Sequence, residues 1–375
     1  MKKNTQCVHS GTYPDPRTRG INTPIFTSSS FEYLDMPENV YPRYFNTPNQ
    51  KSIIDKLCAL ENAEDGLFFS SGMAAISTTI FSFLSSGDHI VLQRDIYGGT
   101  HHFATAEFDK FGIQYSFVSN NIAELESAVR RNTRIIYIET PSNPLLLVTD
   151  IADVCRIAKP KNILTLIDNT FATPINQNPL DLGIDIVLHS GTKYISGHSD
   201  ICCGAVVASQ ALIAKIKESA ANFGGSLNAV TCYLIERSLK TMGIRVAQQN
   251  ANALAIARHL QKKPLIRKVN YPGLENHPGF EIAARQMKAF GGMLSFELDD
   301  GRIAPREFLR KLNLIKPALS LGGIETIICA PVTTSHEKMS SEERAELGIT
   351  DSLLRLSVGI EDVDDIIADI DQALE

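Results

Sequence analysis

The stretch from Asp185 to Ser199 decides the fold, and it reads DIVLHSGTKYISGHS. It opens with the apolar run Ile186–Leu188, typical of a buried strand, and then breaks into a Ser-Gly-Thr turn that ends at Lys193. The hydroxyl groups of Ser190 and Thr192 are suited to holding a phosphate, and the Lys193 amine is suited to forming a Schiff base. A Thr-Lys pair often occurs by chance, so the stretch gains meaning only beside a second signal.

An aspartate at the end of another apolar run supplies that second signal. Residues 163–170 read ILTLIDNT, which predicts a buried strand with Asp168 at its carboxyl end. In pyridoxal phosphate (PLP) sites an aspartate keeps the pyridine nitrogen protonated, while a lysine holds the aldehyde carbon of the same ring. Asp168 and Lys193 at the ends of two apolar strands, with hydroxyl groups beside the lysine, therefore indicate a PLP site.

The chain divides into three segments of different character. Residues 1–50 are rich in Pro, Thr, Ser and Tyr, show no sustained helical period and are typical of an extended arm. Over residues 51–250 strand and helix patterns alternate, which predicts an α/β doubly wound sheet with its site beyond the carboxyl ends of the strands. A long helical pattern at about 228–262 leads into residues 251–375, whose strands and helices predict a smaller α+β domain.

Residues 189–200, HSGTKYISGHSD, resemble the lysine motif of the Cys/Met-metabolism family of PLP-dependent enzymes. That family includes cystathionine synthases and lyases, methionine γ-lyases and homoserine sulfhydrylases. The resemblance runs from about Ser10 to the C-terminus, with further motifs in the family's order. It implies the fold of type I PLP enzymes: a doubly wound, mostly parallel sheet with an N-terminal arm and a smaller C-terminal domain.

The resemblance also assigns residues to the cofactor phosphate. Residues 70–75, SSGMAA, place small residues at a helix start, where backbone N–H groups can approach an anion, and the resemblance puts Gly72 and Met73 on the phosphate. The segment from Tyr41 to Arg43 resembles the family's Tyr-x-Arg, which reaches across a dimer interface to the neighbouring subunit's phosphate. An arginine fork suits that ligand. From the residues alone, ordinary helix packing and a solvated Tyr/Arg pair remain open.

Four residues are candidates for the substrate side of the site. Tyr97 follows a predicted strand, and the resemblance implies that it stacks on the cofactor ring and assists departure of the leaving group. Otherwise it is a turn aromatic. Asn143 either bridges the cofactor and a substrate carboxylate or only forms a turn before proline. Arg355, in an apolar strand pattern, needs an anionic partner: a buried ion pair or, by resemblance, the substrate α-carboxylate, with Ser320 nearby.

Composition excludes several other classes of protein. The net charge of −6 gives no basic footprint for nucleic acid. No apolar run reaches the roughly 18 residues that span a bilayer, and the N-terminus has no apolar core typical of a secretory signal. Seven scattered cysteines, odd in number and without metal-ligand spacing, favour reduced thiols. We therefore expect a cytoplasmic enzyme with a small-molecule substrate, no metal and no membrane partner, forming at least a dimer and, as is usual in the family, a homotetramer.

The exact reaction depends on the far end of the substrate pocket. Cystathionine-processing members usually carry a Glu where Leu319 stands here, and Val40 replaces an acidic residue of some γ-lyases. Both changes favour a less polar pocket, as in methionine-type lyases, whereas Gly99 stands where methionine γ-lyases often carry a cysteine.

We expect a carbon–sulfur lyase of broad cystathionine γ-lyase type, which performs β- or γ-elimination. A cystathionine γ-synthase, an O-acylhomoserine sulfhydrylase and a methionine γ-lyase are the nearer alternatives. Another type I PLP enzyme, such as an aminotransferase, and a non-catalytic binding protein are more distant alternatives. The Tyr-x-Arg arm argues against an aminotransferase, and the paired Asp168 and Lys193 argue against a binding protein.

Overall fold

Two β-sheets organise the chain, and the computed structural model describes residues 1–334, 337 and 340–375. The strands are β1 (Asp65–Phe69), β2 (His89–Gln93), β3 (Gln114–Val118), β4 (Thr133–Glu139), β5 (Leu164–Asp168), β6 (Ile186–His189), β7 (Gly204–Ala208), β8 (Ile266–Asn270), β9 (Met293–Leu298), β10 (Lys316–Pro317), β11 (Ile327–Cys329) and β12 (Leu353–Ser357). The α-helices are α1 (Lys3–His9), α2 (Pro48–Glu61), α3 (Gly72–Phe83), α4 (Gly98–Glu107), α5 (Ile122–Ala128), α6 (Ile151–Ala158), α7 (Thr173–Asn176), α8 (Gln210–Phe223), α9 (Ala229–Leu239), α10 (Met242–Leu260), α11 (Phe280–Gln286), α12 (Pro305–Lys311), α13 (Ser341–Glu346) and α14 (Val363–Leu374).

The larger sheet confirms the predicted doubly wound, mostly parallel architecture. In the described chain it has seven strands in the order β1-β7-β6-β5-β4-β2-β3. Strands β6, β5, β4, β2 and β3 run parallel, and β7 is antiparallel to both of its neighbours. Strand β1 therefore points the same way as β6, so the carboxyl ends of six strands meet at one edge of the sheet.

Apolar residues on both faces explain why these runs form central strands. Along β5, Leu166 packs into one hydrophobic cluster and Ile167 into another on the opposite face, and both side chains are fully buried. Successive side chains of a strand point to opposite faces, so a strand buried on both faces reads as a continuous apolar run. The run ends at Asp168, where the chain leaves the core for the carboxyl edge.

The smaller sheet has the strand order β10-β11-β12-β9-β8 and belongs to the last third of the chain. Its strand β12 carries Arg355, paired with Ser295 on β9 and with Cys329 on β11. Helix α10 spans the predicted domain boundary at 250/251 and packs against α14 and β8 of this part. That boundary and the limits of the arm stay predictions.

Two local predictions were wrong. The arm is not extended throughout, because residues 3–9 form α1. Its Cys7 is fully buried, and the amine of Lys56 donates to its backbone carbonyl at 3.0 Å. So short a helix is stable only through such tertiary contacts, which local sequence does not report. The helix predicted at 228–262 is two helices, α9 and α10, because Thr241 leaves the helical backbone region with φ −107° and ψ 1°.

Within the described residues, no helix combines the length and the apolar character that a membrane crossing requires.

Candidate active site

A cavity of about 440 Å³ lies where the carboxyl edge of the larger sheet meets the smaller sheet. It is bounded by the ends of β4 and β5, by the turn after β6 and by the first turn of α3, and residues 319–321 and 355 close it from the other side. Ten of the twelve predicted site residues, all of them in the described chain, line it: Gly72, Met73, Tyr97, Asn143, Asp168, Ser190, Thr192, Lys193, Ser320 and Arg355.

Tyr41 and Arg43 do not line this cavity. Arg43 donates from Nη1 to the carbonyl of Ala221 at 2.5 Å, and its guanidinium lies 5.5 Å from the centre of the Tyr44 ring. The Tyr41 side chain is exposed. Their predicted contact with a cofactor phosphate therefore requires a second subunit and stays a prediction.

Lys193 lines the cavity and contacts the loop between β10 and β11. Its amine donates to the Ser320 hydroxyl at 2.6 Å. Burial, followed by the positive charge of Arg355, lowers the pKa of Lys193 to about 8. A low-pKa amine is neutral for a larger fraction of the time near pH 7 to 8, which is what a nucleophile or a general base requires.

Asp168 forms the floor of the cavity as the last residue of β5. Its Oδ1 accepts the backbone N–H of Thr170 at 3.0 Å, and the residue is 5% exposed. Burial raises the pKa of Asp168, and the contact with Thr170 opposes that shift only in part. A buried carboxylate of this kind gains free energy from a cationic partner, as a protonated pyridine nitrogen would be.

The first turn of α3 supplies an anion-binding corner. The Ser71 hydroxyl caps the helix by accepting the Ala74 N–H at 3.0 Å, and the two preceding N–H groups, of Gly72 and Met73, lie before the first intrahelical bond. Space is tight, since a Cβ at Gly72 would lie 3.0 Å from the Cβ of Ser190. The lining of the cavity thus combines helix N–H groups with the Ser190 hydroxyl, which suits a phosphate.

Thr192 has a second task that its sequence position did not reveal. Its hydroxyl donates to the carbonyl of Cys203 at 3.1 Å and accepts the Cys203 N–H at 3.0 Å. These two bonds fix the Ser-Gly-Thr turn to the entrance of β7. In this arrangement Thr192 holds the lysine loop in place, and its predicted contact with a phosphate stays a prediction.

Arg355 and Asn143 form the opposite end of the cavity. Arg355 donates from Nη1 to Asn143 Oδ1 at 2.8 Å and from Nη2 to the Ser320 carbonyl at 3.1 Å. The Nε atom of Arg355 is buried and has no partner among the described residues. A buried, charged guanidinium without an anion is costly, so this corner fits a ligand carboxylate.

Glu139 is a pocket residue that the sequence analysis missed. It ends β4 directly beside Asp168 in the strand register and is 4% exposed. The available signal was its place as the last residue of a predicted buried strand, next to the strand of Asp168. The cavity is also lined by Ser71, Ile76, Thr170, Phe171, Cys202, Leu319, Leu321 and Thr334.

These features together fit PLP. The cavity offers a buried carboxylate for the ring nitrogen, an amine of lowered pKa for the aldehyde and helix N–H groups for the phosphate. Within the described residues, no group of three or more His, Cys, Asp or Glu side chains is arranged to hold a metal ion.

Comparison with known proteins identifies the family. The family model described as "Cys/Met metabolism PLP-dependent enzyme" matches residues 4–375. The chain is 42% identical over 375 residues to a cystathionine beta-lyase of Lactococcus lactis subsp. cremoris, covering 99% of this chain and 98% of that protein. It is 42% identical over 393 residues to an L-methionine gamma-lyase of Fusobacterium nucleatum subsp. nucleatum, covering 100% and 99%.

A solved structure gives the same result at the level of the fold. Cystathionine gamma-lyase from Lactobacillus plantarum, complexed with L-serine, superimposes with a TM-score of 0.96 at 39% identity, over 100% of this chain and 98% of that one. The resemblance noted in the lysine motif is confirmed over the full length: this chain belongs to the Cys/Met-metabolism family of PLP-dependent enzymes.

Proposed function

We propose that this PLP-dependent carbon–sulfur lyase cleaves cystathionine by elimination, in the manner of a cystathionine γ-lyase. The proposal depends on one observation, which is that Ser320 contacts both Lys193 and Arg355. The Ser320 hydroxyl accepts a hydrogen bond from the Lys193 amine at 2.6 Å, and the Ser320 carbonyl accepts one from the Arg355 guanidinium at 3.1 Å. An amino acid whose carboxylate binds Arg355 has its Cα only one bond from that carboxylate. The Cα proton is then within reach of the Lys193 amine.

Each group of the cavity has a role in this reaction. Lys193, with a pKa lowered to about 8, accepts and returns the Cα proton as a general acid–base. Arg355 binds the α-carboxylate, and Asn143 orients the guanidinium through their hydrogen bond. Asp168 holds a positive charge on the ring nitrogen. Bound PLP supplies an electron sink for the charge that develops at Cα.

Tyr97 covers the mouth of the cavity at the start of α4. Its side chain is 44% exposed, so the phenol lies between the enclosed site and solvent. In the proposal its ring lies against the cofactor, and its hydroxyl gives a proton to the departing sulfur. The sulfur then leaves as a neutral thiol and not as a charged thiolate.

Residues 99 and 319 determine the choice of substrate. A Cβ at Gly99 would lie 2.4 Å from the Tyr97 ring, so the cysteine that methionine γ-lyases often carry there would displace this tyrosine. Leu319 lines the cavity and is 69% exposed, which leaves the distal end open to solvent and able to take the polar distal group of cystathionine without a charged partner. A γ-replacement on O-acylated homoserine is the second candidate, because the apolar Leu319 also suits the uncharged acyl group of that substrate.

The proposed assembly is a homo-oligomer of at least two chains, located in the cytoplasm. Three apolar side chains of the arm, Ile21, Tyr33 and Leu34, are between 73% and 85% exposed. Such a group of exposed apolar side chains is typical of a surface that another chain covers. The seven cysteines are free, as expected in a reducing compartment.

The test is a product assay on the purified holoenzyme. It is incubated in turn with cystathionine, with methionine, and with O-acetylhomoserine plus cysteine, and K193A is the inactive control. We expect cystathionine and water to yield 2-oxobutyrate, ammonia and cysteine. Pyruvate with homocysteine would instead show cleavage on the other side of sulfur, as in a β-lyase. Cystathionine formed from the acylated substrate, without keto acid, would overturn the lyase assignment in favour of the synthase.

A further inference from the structure

The buried carboxyl group of Glu139 receives two backbone N–H groups from two different loops of the cavity. Its Oε2 accepts the N–H of Tyr97 at 2.8 Å, and its Oε1 accepts the N–H of Asn143 at 3.1 Å. Tyr97 begins α4 after strand β2, whereas Asn143 follows β4 itself. One side chain therefore connects two loops, and the residues it binds, Tyr97 and Asn143, are 46 positions apart in sequence.

Both loops carry residues that line the proposed site. Tyr97 lies at the mouth, and Asn143 accepts the guanidinium of Arg355 at 2.8 Å. The backbone N–H of Tyr97 precedes the first turn of α4, where no carbonyl of the same helix can accept it. The N–H of Asn143 donates to Glu139 in a buried hydrogen bond, and a buried N–H left without an acceptor is costly, so Glu139 is more than an incidental neighbour.

We propose that Glu139 is a positioning residue, which sets the distance between Tyr97 and the Asn143–Arg355 pair by binding both loops through one rigid carboxyl group. The inference rests on the proposed function for the roles of Tyr97 and Arg355. The two hydrogen bonds themselves exist whatever the substrate is.

The negative charges around Glu139 make a carboxyl group at this position energetically costly. Asp168 lies beside it in register, and Asp95 is the other carboxylate whose charge acts on it. Burial and these two carboxylates raise the pKa of Glu139 well above its ordinary value, while the N–H groups of Tyr97 and Asn143 oppose the shift. An amide of the same size would avoid the repulsion, but it offers only one acceptor oxygen for the two N–H groups.

The test compares E139Q and E139A with D185N. Asp185 is the matched control, since its carboxylate also accepts a backbone N–H, that of Thr165 at 2.8 Å. Asp185 directly precedes β6 and therefore lies at the amino end of that strand, away from the site at the carboxyl ends. Hydrogen exchange of the amides at 97 and 143 is measured on the holoenzyme without substrate. Then kcat and KM are measured with cystathionine.

We expect one of the two amides to exchange about tenfold faster or more in E139Q, and both in E139A, because E139Q removes one acceptor oxygen and E139A removes both. We also expect KM to rise and kcat to fall in both variants, while D185N keeps wild-type values. Exchange at wild-type rates for both amides in E139Q would overturn the proposal even if E139A failed to fold. If the exchange effect appears but no thiol is ever released, the positioning role stands and the proposed function fails.

Discussion

The chemistry of Lys193 depends on its surroundings more than on its position in the motif. The Thr-Lys pair predicted the amine, but only the fold shows that the amine is partly buried, hydrogen-bonded to Ser320 and close to Arg355. A lysine in water has a pKa of about 10.4, and both desolvation and a nearby cation disfavour its charged form. The lowered value of about 8 leaves more of the Lys193 amine unprotonated at neutral pH, so more of it is ready to accept a proton.

This difference predicts the reactivity of Lys193 in the protein freed of PLP. Only the neutral amine reacts with an acylating reagent, so the acylation rate should increase with pH. The midpoint of that increase should lie at about pH 8 for Lys193 and at about pH 10.4 for ordinary exposed lysines. Peptide mapping by mass spectrometry across pH 6 to 11 measures both in the same sample. A midpoint near 10 at Lys193 would show that the amine is solvated and that burial does not act on it.

Arg355 should affect substrate binding more than turnover. R355K keeps the positive charge but loses the planar fork, so it cannot bind Asn143, Ser320 and a carboxylate together. We expect KM for cystathionine to rise by about 10-fold to 100-fold, since a hydrogen bond to a charged group contributes about 1.5–3 kcal/mol, with kcat changed much less. Arg267, an exposed arginine paired with Asp299 and Asp300, gives the matched control R267K. Equal KM values in R355K and R267K would show that Arg355 does not bind the substrate carboxylate.

Sequence patterns revealed some site residues and not others, for a physical reason. Asp168 and Lys193 could be predicted because each stands close to the end of an apolar run, Asp168 as its last residue and Lys193 in the turn that follows, and because each has one chemical task. Glu139 also follows an apolar run, but its partners are backbone N–H groups that no sequence pattern displays. The engagement of Thr192 with Cys203 was equally hidden, because it depends on how closely β7 approaches the lysine turn.

Among the elements, the close contact between β7 and the start of α3 shapes the phosphate corner. A Cβ at Gly204 would lie 2.2 Å from the Ser71 carbonyl oxygen and 2.7 Å from the Gly72 Cα, both of them backbone atoms. Backbone cannot move aside as a flexible side chain can. Only glycine therefore lets β7 lie against the turn that presents the Gly72 and Met73 N–H groups.

G204A should therefore weaken PLP retention and lower stability. Overpacking of this kind costs about 1–3 kcal/mol, and the displaced turn is the one predicted to bind the phosphate. Equilibrium dialysis measures the Kd of PLP, and thermal unfolding measures stability. The control is G301A, where the added Cβ meets no atom closer than 3.7 Å. A G204A protein with wild-type affinity for PLP would show that the α3 turn does not bind the phosphate.

Strands buried on both faces were predicted well. Helix α1 and the break between α9 and α10 were not, because they depend on tertiary contacts that the local sequence does not report. The runs that became β4, β5 and β6 have apolar centres, at 135–138, 166–167 and 186–188, and such runs favour buried central strands. Helix α1 has one buried residue, Cys7, and depends on Lys56 to bind its last carbonyls, so nothing in its own seven residues marks it as helical. The same holds for the break at Thr241 between α9 and α10.

At the scale of the whole molecule, the predicted arm residues lie apart from the cavity of their own chain. Ten predicted residues share a cavity, while Tyr41 and Arg43 lie outside it on a segment with exposed apolar side chains. A cavity built by one chain and an arm that extends from another would explain both facts. In a two-fold symmetric dimer each arm then contributes to the partner's cavity.

Mixing two defective proteins tests this arrangement. K193A and R43A are unfolded together in equal amounts and refolded, or co-expressed, and lyase activity is measured without added PLP. If the arms are exchanged, a hybrid dimer has one site with both changes and one site with neither. Because random pairing makes half of the dimers hybrids, about a quarter of all sites should be intact, although each parent alone is inactive or strongly impaired.

The matched control mixes K193A with Y97A. Lys193 and Tyr97 line the same cavity of a single chain, so each site of that hybrid carries one change and activity should not return. Restored activity in the first mixture and none in the second would place Arg43 in the partner's site. If neither mixture regains activity although the hybrids form, Arg43 acts within its own chain or not at all, and its bond to the Ala221 carbonyl is its whole role.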